Sequence, residues 1–333
     1  MIFSLNQRKL IGLLITDGPQ SRKALASKLH LTNAAVTVMT QSLIEEGFVV
    51  ELGEIESGKV GRKETLIDLG IDKYVAIGMD VRSDYVNLSF TDIQGNLLEY
   101  KKIHHLEDAV EYVQRAIAKY PPFEEISVLC RGYKGLDFFD QTIEEVERLM
   151  SAARLPYRIV HNVSALAILH KFYHPMDSNF LLVKYGPGVG SAIMTNGQLL
   201  RNDRNRGSEF GHMLVDGSSP RTLEEEISYA TVAQGIEESE VVDYLLSSKA
   251  TLDFVMSKIA YCLVNAHVLL ALEKIVIAGS LFVSDEAFAS LKDKINKHQK
   301  TIQADDLVRI SDYQQKEKKI GSIVTLYYHF LNL

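Results

Sequence analysis

Between residues 32 and 41 the sequence places short polar side chains at helical spacing, in the stretch TNAAVTVMTQ. Hydroxyl and amide groups donate and accept hydrogen bonds, so they can contact base edges in the major groove of DNA. An inward helix face is indicated by the spacing of four apolar residues, Val36, Met39, Leu43 and Ile44, which leaves the polar residues outward. The residues that we expect to contact DNA from this helix are Thr32, Asn33, Thr37, Thr40 and Gln41.

A glycine-rich basic segment follows this helix. Two short apolar stretches, Phe48 to Leu52 and Leu66 to Leu69, flank the sequence GKVGRK at residues 58–63. Two strands around such a tip form a β-wing, and cations at the tip are favoured along phosphates because they release bound counterions. The predicted phosphate contacts are Lys59, Arg62 and Lys63.

The elements that must position these groups are indicated by helix-start and helix-stop residues. An apolar periodic stretch over residues 6–17 predicts a first helix, which the Gly-Pro pair at 18 and 19 ends. Ser21 and Thr32 are typical N-cap residues and predict two further helices, the last ending near Gly47. Only His30 and Leu31 separate these two helices, a turn short enough to set them at a steep angle. This order predicts a winged helix-turn-helix domain over residues 1–70, although three short helices and a hairpin also build protein-docking domains.

Charge and composition narrow the class of protein. The net charge is −7, yet residues 1–40 hold five Lys or Arg and one acidic residue, which suggests a nucleic-acid-binding module joined to an acidic body. Two cysteines exclude a disulfide framework and a cysteine-rich zinc site. The longest uncharged apolar run, residues 259–272, is shorter than the roughly 20 residues that cross a bilayer, and predicts a buried helix. The first nine residues lack the order of a signal peptide, so we expect a cytoplasmic protein without a membrane partner.

Past residue 70 the pattern changes to short strands separated by turn residues. Apolar stretches at 74–79, 85–90 and 97–103 predict a strand meander, followed by helices near 106–119 and 141–153 that alternate with strands at 126–130 and 157–160. A second strand set begins at Phe180. A meander plus helices, given twice, predicts an α/β fold of the actin-like, sugar-kinase-like (ribonuclease H-like) kind, in which ligands bind between two lobes. We expect the lobes at residues 71–160 and 161–333, with a C-terminal helix that could return to the first lobe.

Several motifs stand in a fixed order in this body. They are Asn162, Gly-Pro-Gly-Val-Gly at 186–190, Gly-Ser-Glu-Phe-Gly-His at 207–212 and Leu-Glu at 223–224. A winged helix-turn-helix followed by these motifs resembles the ROK family (repressors, open reading frames and kinases), and specifically its repressor branch. The resemblance covers nearly the whole chain. It implies that the family's sugar contacts correspond to Asn162, Glu209, His212 and Glu224, which would bind a sugar or sugar-phosphate effector. The alternative is residual ancestry, with the two glutamates solvated or salt-bridged.

The residues that phosphotransfer would need depart from the family's pattern. In the kinases the first phosphate loop is an Asp followed by two Gly and a Thr, whereas residues 80–84 here read DVRSD. In the second loop Pro187 stands where Thr is usual, which removes a hydroxyl and an amide donor. The proton-accepting Asp that follows the sugar-binding Asn in the kinases is Val163 here, and valine cannot accept a proton. The resemblance therefore implies no catalytic residue and no cofactor.

The family's zinc loop is changed as well. In typical members the His of the Gly-His pair joins three cysteines, whereas here no cysteine lies between His212 and Leu223. We therefore expect no metal site, and His212 is either a hydrogen-bonding group of the pocket or a packed histidine. In another departure, Arg131 and Lys134 could face an anionic ligand, which would favour a sugar phosphate over a neutral sugar.

Together these features predict a DNA-binding transcriptional regulator, most simply a repressor of carbohydrate-related genes with an inactive kinase-like body. Because one winged domain offers few contacts, we expect a homodimer or a dimer of dimers that reads two half-sites of a double-stranded operator. Two alternatives stay open. One is a ROK sugar kinase with an appended DNA-binding domain, and the other is a regulator whose body no longer binds a ligand.

Overall fold

A computed structural model describes residues 3–55, 64–72, 74–120, 125–131, 140–202, 206–215, 219–298 and 306–331. The chain divides into two compact units, Met1–Pro175 with Lys318–Leu333, and Met176–Glu317. The first unit includes the stretch predicted as the winged domain. It also extends one helix beyond the lobe boundary predicted at residue 160, so the residues from 161 to 175 belong to the first unit rather than the second.

The first unit begins with three helices and a small sheet. The helices are α1 (Leu5–Asp17), α2 (Arg22–Leu29) and α3 (Asn33–Glu45). The strands are β1 (Gln20–Ser21), β2 (Val49–Ile55) and β3 (Glu64–Leu69), paired antiparallel in the order β1-β3-β2. The predicted winged helix-turn-helix is therefore present, and we call residues 3–69 the head.

A five-stranded sheet follows the head in the same unit, in the order β6-β5-β4-β7-β8. The first three strands form the predicted antiparallel meander, and β7 and β8 run parallel to β4. The carboxyl ends of β4, β6, β7 and β8 consequently lie along one edge of this sheet. The strands are β4 (Ala76–Val81), β5 (Val86–Thr91), β6 (Leu97–Ile103), β7 (Ile126–Cys130) and β8 (Tyr157–His161), and the helices are α4 (Leu106–Lys119), α5 (Asp140–Ala152) and α6 (Asn162–Tyr173).

The second unit is built around another five-stranded sheet, in the order β11-β10-β9-β12-β13, with a mixed pattern in which β12 is parallel to both β9 and β13. Its strands are β9 (Phe180–Tyr185), β10 (Val189–Thr195), β11 (Gln198–Leu199), β12 (Lys274–Ala278) and β13 (Leu307–Arg309). Its α-helices are α7 (Leu223–Ile227), α8 (Tyr229–Val232), α9 (Val241–Ser247), α10 (Lys249–Leu270), α11 (Asp285–His298) and α12 (Tyr313–Glu317).

Helix α10 contains most of residues 259–272, which were predicted to form a buried helix, and it is buried on one face only. Among the described residues, α10 is long and apolar enough to cross a membrane by length and composition alone. One face of this helix, however, forms part of the core of the second unit. Ile259 and Leu263 are fully buried there, whereas Val268 and Leu269 near the end of the helix are 62% and 83% exposed. The side chains of this 22-residue helix point in all directions around its axis because the helix turns every 3.6 residues. Since the core contacts one face, the residues on the opposite face stay exposed.

The chain returns to the first unit through α13 (Ile320–Leu326), which packs across β4. The crossing is close because glycines face each other there. A Cβ added at Gly78 would lie 1.9 Å from the backbone carbon of Gly321, so no larger residue fits without displacing the helix. A Thr325 hydroxyl completes the contact by donating to the Ile77 carbonyl at 2.8 Å. The C-terminal helix is thus part of the first unit.

An aromatic cluster packs the head against this C-terminal segment. Phe3 and Phe48 of the head are 3% and 2% exposed, and both lie against Phe330, with ring centroids 5.3 and 5.6 Å away. Tyr74 stacks on Phe48 at 4.4 Å, and His329 lies 5.5 Å from Phe3. Apolar burial on this scale fixes the head to the body of the unit.

Candidate nucleic-acid interface and ligand-binding residues

The turn of the head between α2 and α3 is set by local capping. The Ser21 hydroxyl accepts from the Ala24 amide at 3.2 Å, and the Thr32 hydroxyl accepts from the Ala35 amide at the same distance. His30 ends α2 in the left-handed region with φ of 54°, a conformation that histidine tolerates better than most residues. These caps stop one helix and start the next within a few residues, which gives the short turn that the sequence predicts.

The amino-terminal half of α3 presents most of the predicted base-contacting residues to solvent. Thr32, Asn33, Thr37 and Gln41 are all exposed. The Thr37 hydroxyl donates to the Asn33 carbonyl at 2.8 Å, and the Gln41 amide donates to Glu45 at 3.1 Å. Among the described residues the Asn33 side chain makes no hydrogen bond, so its amide has both donor and acceptor capacity available for a base edge.

Thr40 is a correction to the predicted set. It is fully buried, its hydroxyl donates to the Thr37 carbonyl at 3.1 Å, and it accepts from Arg22 Nε at 2.9 Å. Position 40 is four residues after Val36 and three before Leu43, so it shares their inward face despite its polar type. The Arg22 guanidinium also pairs with Glu51 at 2.6 Å, so Thr40 helps to join α2, α3 and β2 instead of contacting DNA.

Sequence reasoning missed Val38, which lies on the same exposed face. Its side chain is 73% exposed in the middle of α3, where an apolar group can contact the methyl group of thymine. The signal was available, since position 38 is three residues before the outward position 41 and so shares its face of the helix.

The structure describes the two strands of the wing, up to residue 55 and from residue 64. Strands β2 and β3 pair antiparallel, with a register shift between Glu51 and Gly53. The predicted phosphate contacts at the tip, Lys59, Arg62 and Lys63, lie outside the described residues and stay predictions.

The four predicted sugar contacts divide between the two units. Asn162 is the first residue of α6, directly after the carboxyl end of β8, and belongs to the first unit. Glu209, His212 and Glu224 belong to the second unit. Val163, at the position of the kinases' proton acceptor, is 6% exposed.

Within the second unit the three predicted contacts lie close together. Partial burial raises the pKa of Glu209, and the nearby Glu224 carboxylate raises it further, while His212 and Arg206 act in the opposite direction. Glu224 Oε2 accepts from the Val189 amide at 2.6 Å, at the glycine-rich turn between β9 and β10. A Cβ at position 188 would lie 2.8 Å from that oxygen, which explains the glycine there.

The turn between β4 and β5, where the kinases have their first phosphate loop, is occupied by side chains. The Arg82 guanidinium pairs with Asp80 at 2.6 Å, and the two side chains are 14% and 3% exposed. The Arg82 amide donates to the Tyr85 carbonyl at 2.9 Å, which closes the turn tightly. In the parts of the chain that the structure describes, no three His, Cys, Asp or Glu side chains are grouped as a metal site requires.

Comparison with known proteins agrees with this architecture. Residues 3–50 match the winged helix-turn-helix DNA-binding family. The chain is 24% identical over 242 residues to the xylose repressor of Bacillus subtilis (strain 168), covering 65% of this chain and 62% of that protein. It is 22% identical over 239 residues to the transcriptional dual regulator NagC of Escherichia coli (strain K12), covering 65% and 59%. The matched region thus spans about three fifths of the length of these curated relatives.

Solved structures give the same fold. A ROK family transcriptional regulator described as a homologue of the E. coli MLC protein aligns with a TM-score of 0.74 at 17% identity, covering 97% of both chains. The ROK hexokinase from Thermus thermophilus aligns with a TM-score of 0.60 at 17% identity, covering 77% of this chain and 99% of that one. The chain thus resembles repressors in sequence and ROK-family proteins in fold, with a winged helix-turn-helix domain in front of a sugar-kinase-like α/β body.

Proposed function

We propose that this chain is a cytoplasmic, DNA-binding transcriptional regulator that represses carbohydrate-related genes. The observation that carries the proposal is the exposed amino-terminal half of α3, presented by a capped helix-turn-helix whose Asn33 amide bonds to no other described residue. The names of its relatives, a xylose repressor and the regulator NagC, support the same conclusion.

The hydrogen bonds that each side chain already makes determine how it would contact DNA. Asn33 is suited to a bidentate contact with adenine, while Thr37 and Gln41 must exchange their intrahelical bonds for bonds to a base. Thr32 lies at the helix start, where it reaches the phosphate backbone or a base edge. Lys59, Arg62 and Lys63 contact phosphates from the wing. Two copies of the chain, paired as a homodimer or a dimer of dimers, read two half-sites.

The body acts as an effector domain without kinase activity. Val163 supplies no general base, and the Arg82–Asp80 pair occupies the turn that would receive phosphates. Asn162, Glu209, His212 and Glu224 bind the hydroxyl groups of a sugar, and a ligand that favours one arrangement of the body changes DNA affinity. Two sugars are the first effectors to test. Xylose is in the name of one relative above, and N-acetylglucosamine is in the name of another, the N-acetylglucosamine repressor of Escherichia coli O157:H7, to which the chain is 22% identical over 239 residues.

Selection of bound sequences from a random duplex pool tests DNA reading. The full chain should enrich a motif with two related half-sites, and Asn33→Ala should lose the preference at one base position of each half-site, at a cost of about 1–3 kcal/mol. Asn296→Ala, an exposed helical asparagine of the second unit, is the matched control and should enrich the wild-type motif. Failure to enrich any motif, or equal effects of the two variants, would refute the proposal.

The absence of kinase activity has its own test. The full chain, incubated with ATP and either sugar, should form no sugar phosphate above the background without protein. Steady turnover would favour the alternative of a kinase with an appended DNA-binding domain. A sugar that raises the unfolding temperature and releases the chain from its selected duplex would identify the effector.

A further inference from the structure

A cavity of about 510 Å³ lies at the carboxyl edge of the first unit's sheet. This volume is typical of small-molecule sites. Its described lining comes from the β4–β5 turn, the junction of β6 with α4, the residue after β7 and the early turns of α5, all within the first unit. The arginines, histidines and carboxylates of the described lining are Arg82, His104, His105, Glu107, Arg131 and Glu145.

The two arginines of this cavity differ in what they already bind. Arg82 is held by Asp80 at 2.6 Å, so its charge is balanced inside the protein. Arg131 follows the buried end of β7 and is partly buried, yet among the described residues no carboxylate pairs with it. A guanidinium that has lost part of its hydration without gaining an anion is a favourable partner for an anionic ligand.

Two histidines add hydrogen-bonding groups beside the arginines. His105 precedes α4 and forms no side-chain cap with it. His104 Nδ1 lies 3.3 Å from the Asp84 carbonyl, and the other ring nitrogen, which bonds to no other described residue, can bind a ligand. Imidazole groups can donate to a phosphate or carboxylate oxygen at neutral pH.

Two carboxylates in the lining limit the charge of the ligand. Glu107 and Glu145 are exposed at the cavity, and Glu145 is only loosely paired with Arg148, at 3.8 Å. Carboxylates repel a polyanion such as a nucleoside triphosphate, but they accept hydrogen bonds from hydroxyl groups. The lining therefore suits a compound with one anionic group at one end and several hydroxyls at the other.

We propose that this cavity binds a polyhydroxylated compound bearing a single anionic group, either a sugar phosphate or a sugar acid. The anionic group pairs with Arg131, and the hydroxyls hydrogen-bond to Glu107 and Glu145. The cavity shares no residue with the predicted sugar contacts Asn162, Glu209, His212 and Glu224, and its ligand does not depend on the chain binding DNA.

Calorimetric titration of the full chain tests this site. The probes are glucose 6-phosphate, gluconate, glucose and inorganic phosphate, so the panel separates a phosphate ester from a carboxylate and both from their parts. At least one of the first two should bind at least about tenfold more tightly than glucose and than inorganic phosphate, a difference of about 1.4 kcal/mol.

Variants locate the site. Arg131→Gln should weaken the tighter probe at least about tenfold, and Arg131→Lys, which keeps the charge but not the planar fork, should weaken it less. Arg115→Gln, a 70% exposed arginine of α4 outside the lining, is the matched control and should bind as the wild type does. Unchanged unfolding midpoints without ligand show that the variants fold.

The proposal is overturned if no probe binds, if glucose or inorganic phosphate binds as tightly as the two polyhydroxylated anions, or if Arg131→Gln binds like the wild type. Failure of the wild-type chain to bind DNA would refute the proposed function and leave this result unaffected.

Discussion

Helix α3 and the carboxyl edge of the first unit's sheet both contain polar side chains of types that bind ligands. In each region one of these side chains is buried or paired within the protein, and a nearby one is not. On α3, Thr40 is fully buried and accepts a structural hydrogen bond, whereas Asn33 is exposed with its amide uncommitted among the described residues. At the sheet edge, Arg82 is tied to Asp80, whereas Arg131 pairs with no described carboxylate. In both regions one polar group stabilises the scaffold and a neighbour remains available for a partner. Residue type alone does not separate the two roles, because burial and pairing decide them.

Arg82→Ala removes the buried ion pair with Asp80 and should have the largest effect of the predicted changes. Asp80 is 3% exposed and would lose the guanidinium that balances its charge, so the free energy of unfolding should fall by about 3–5 kcal/mol. Urea unfolding of the full chain measures the loss. Adding Asp80→Asn should restore much of the stability, because the neutral amide no longer needs a cation. A single variant within about 0.5 kcal/mol of the wild type would show that the pair is not structural.

Thr40 and Thr37 sharpen the comparison within one helix. Thr40→Val keeps the shape of the buried residue but removes the acceptor for Arg22, so unfolding should become easier by about 1–2 kcal/mol. Thr37→Ala should leave the unfolding free energy nearly unchanged and alter the selected DNA motif instead. Urea unfolding and duplex selection on both variants are the measurements. The reverse pattern would contradict the assignment of Thr40 to the scaffold.

Arg62→Ala tests the wing against α3. Removing one phosphate contact should weaken binding to every duplex alike and reduce the slope of log K against log salt by about one. Fluorescence anisotropy over a salt series measures that slope. A change of motif without a change of slope would place Arg62 at a base edge, contrary to its assignment to phosphate.

The smallest expected effect concerns Glu209. Its pKa is raised, mainly by partial burial, so its carboxylate becomes protonated at a higher pH than an ordinary glutamate as the solution is acidified. If the ionised carboxylate accepts a sugar hydroxyl, affinity for the effector should fall at mildly acidic pH and recover as pH rises through this raised pKa. Titrations of wild type and Glu209→Gln across that range measure the effect. An unchanged pH profile in Glu209→Gln would remove Glu209 from the effector site.

The head was predictable from the sequence because its signals are local. Ser21 and Thr32 cap the helices that follow them, and His30 adopts the left-handed conformation that its position requires. Capping depends on residues within one turn of each other, so it can be inferred without knowledge of the rest of the chain. Thr40 was assigned wrongly for the complementary reason, since its residue type was given more weight than its helical position.

In the body, contacts between residues far apart in the chain could not be predicted from the sequence pattern. The strand meander and its helices follow from apolar periodicity, but the assignment of α6 to the first unit depends on contacts between distant parts of the chain. The close approach of Gly78 and Gly321 pairs residues far apart in sequence. The pairing of Arg82 with Asp80, and the lack of a described carboxylate partner for Arg131, likewise depend on the folded arrangement. The sequence therefore predicts which groups are present at the sheet edge but not which of them pair with each other.

The most direct test of the account is the affinity of the full chain for its selected duplex and for a shuffled duplex of the same length and composition, measured by fluorescence anisotropy at about 0.15 M salt. A regulator that reads base edges through α3 should prefer the selected duplex by at least about 10³-fold. Equal affinities for the two duplexes would contradict the account, because they would leave only non-specific attraction between a basic head and phosphates.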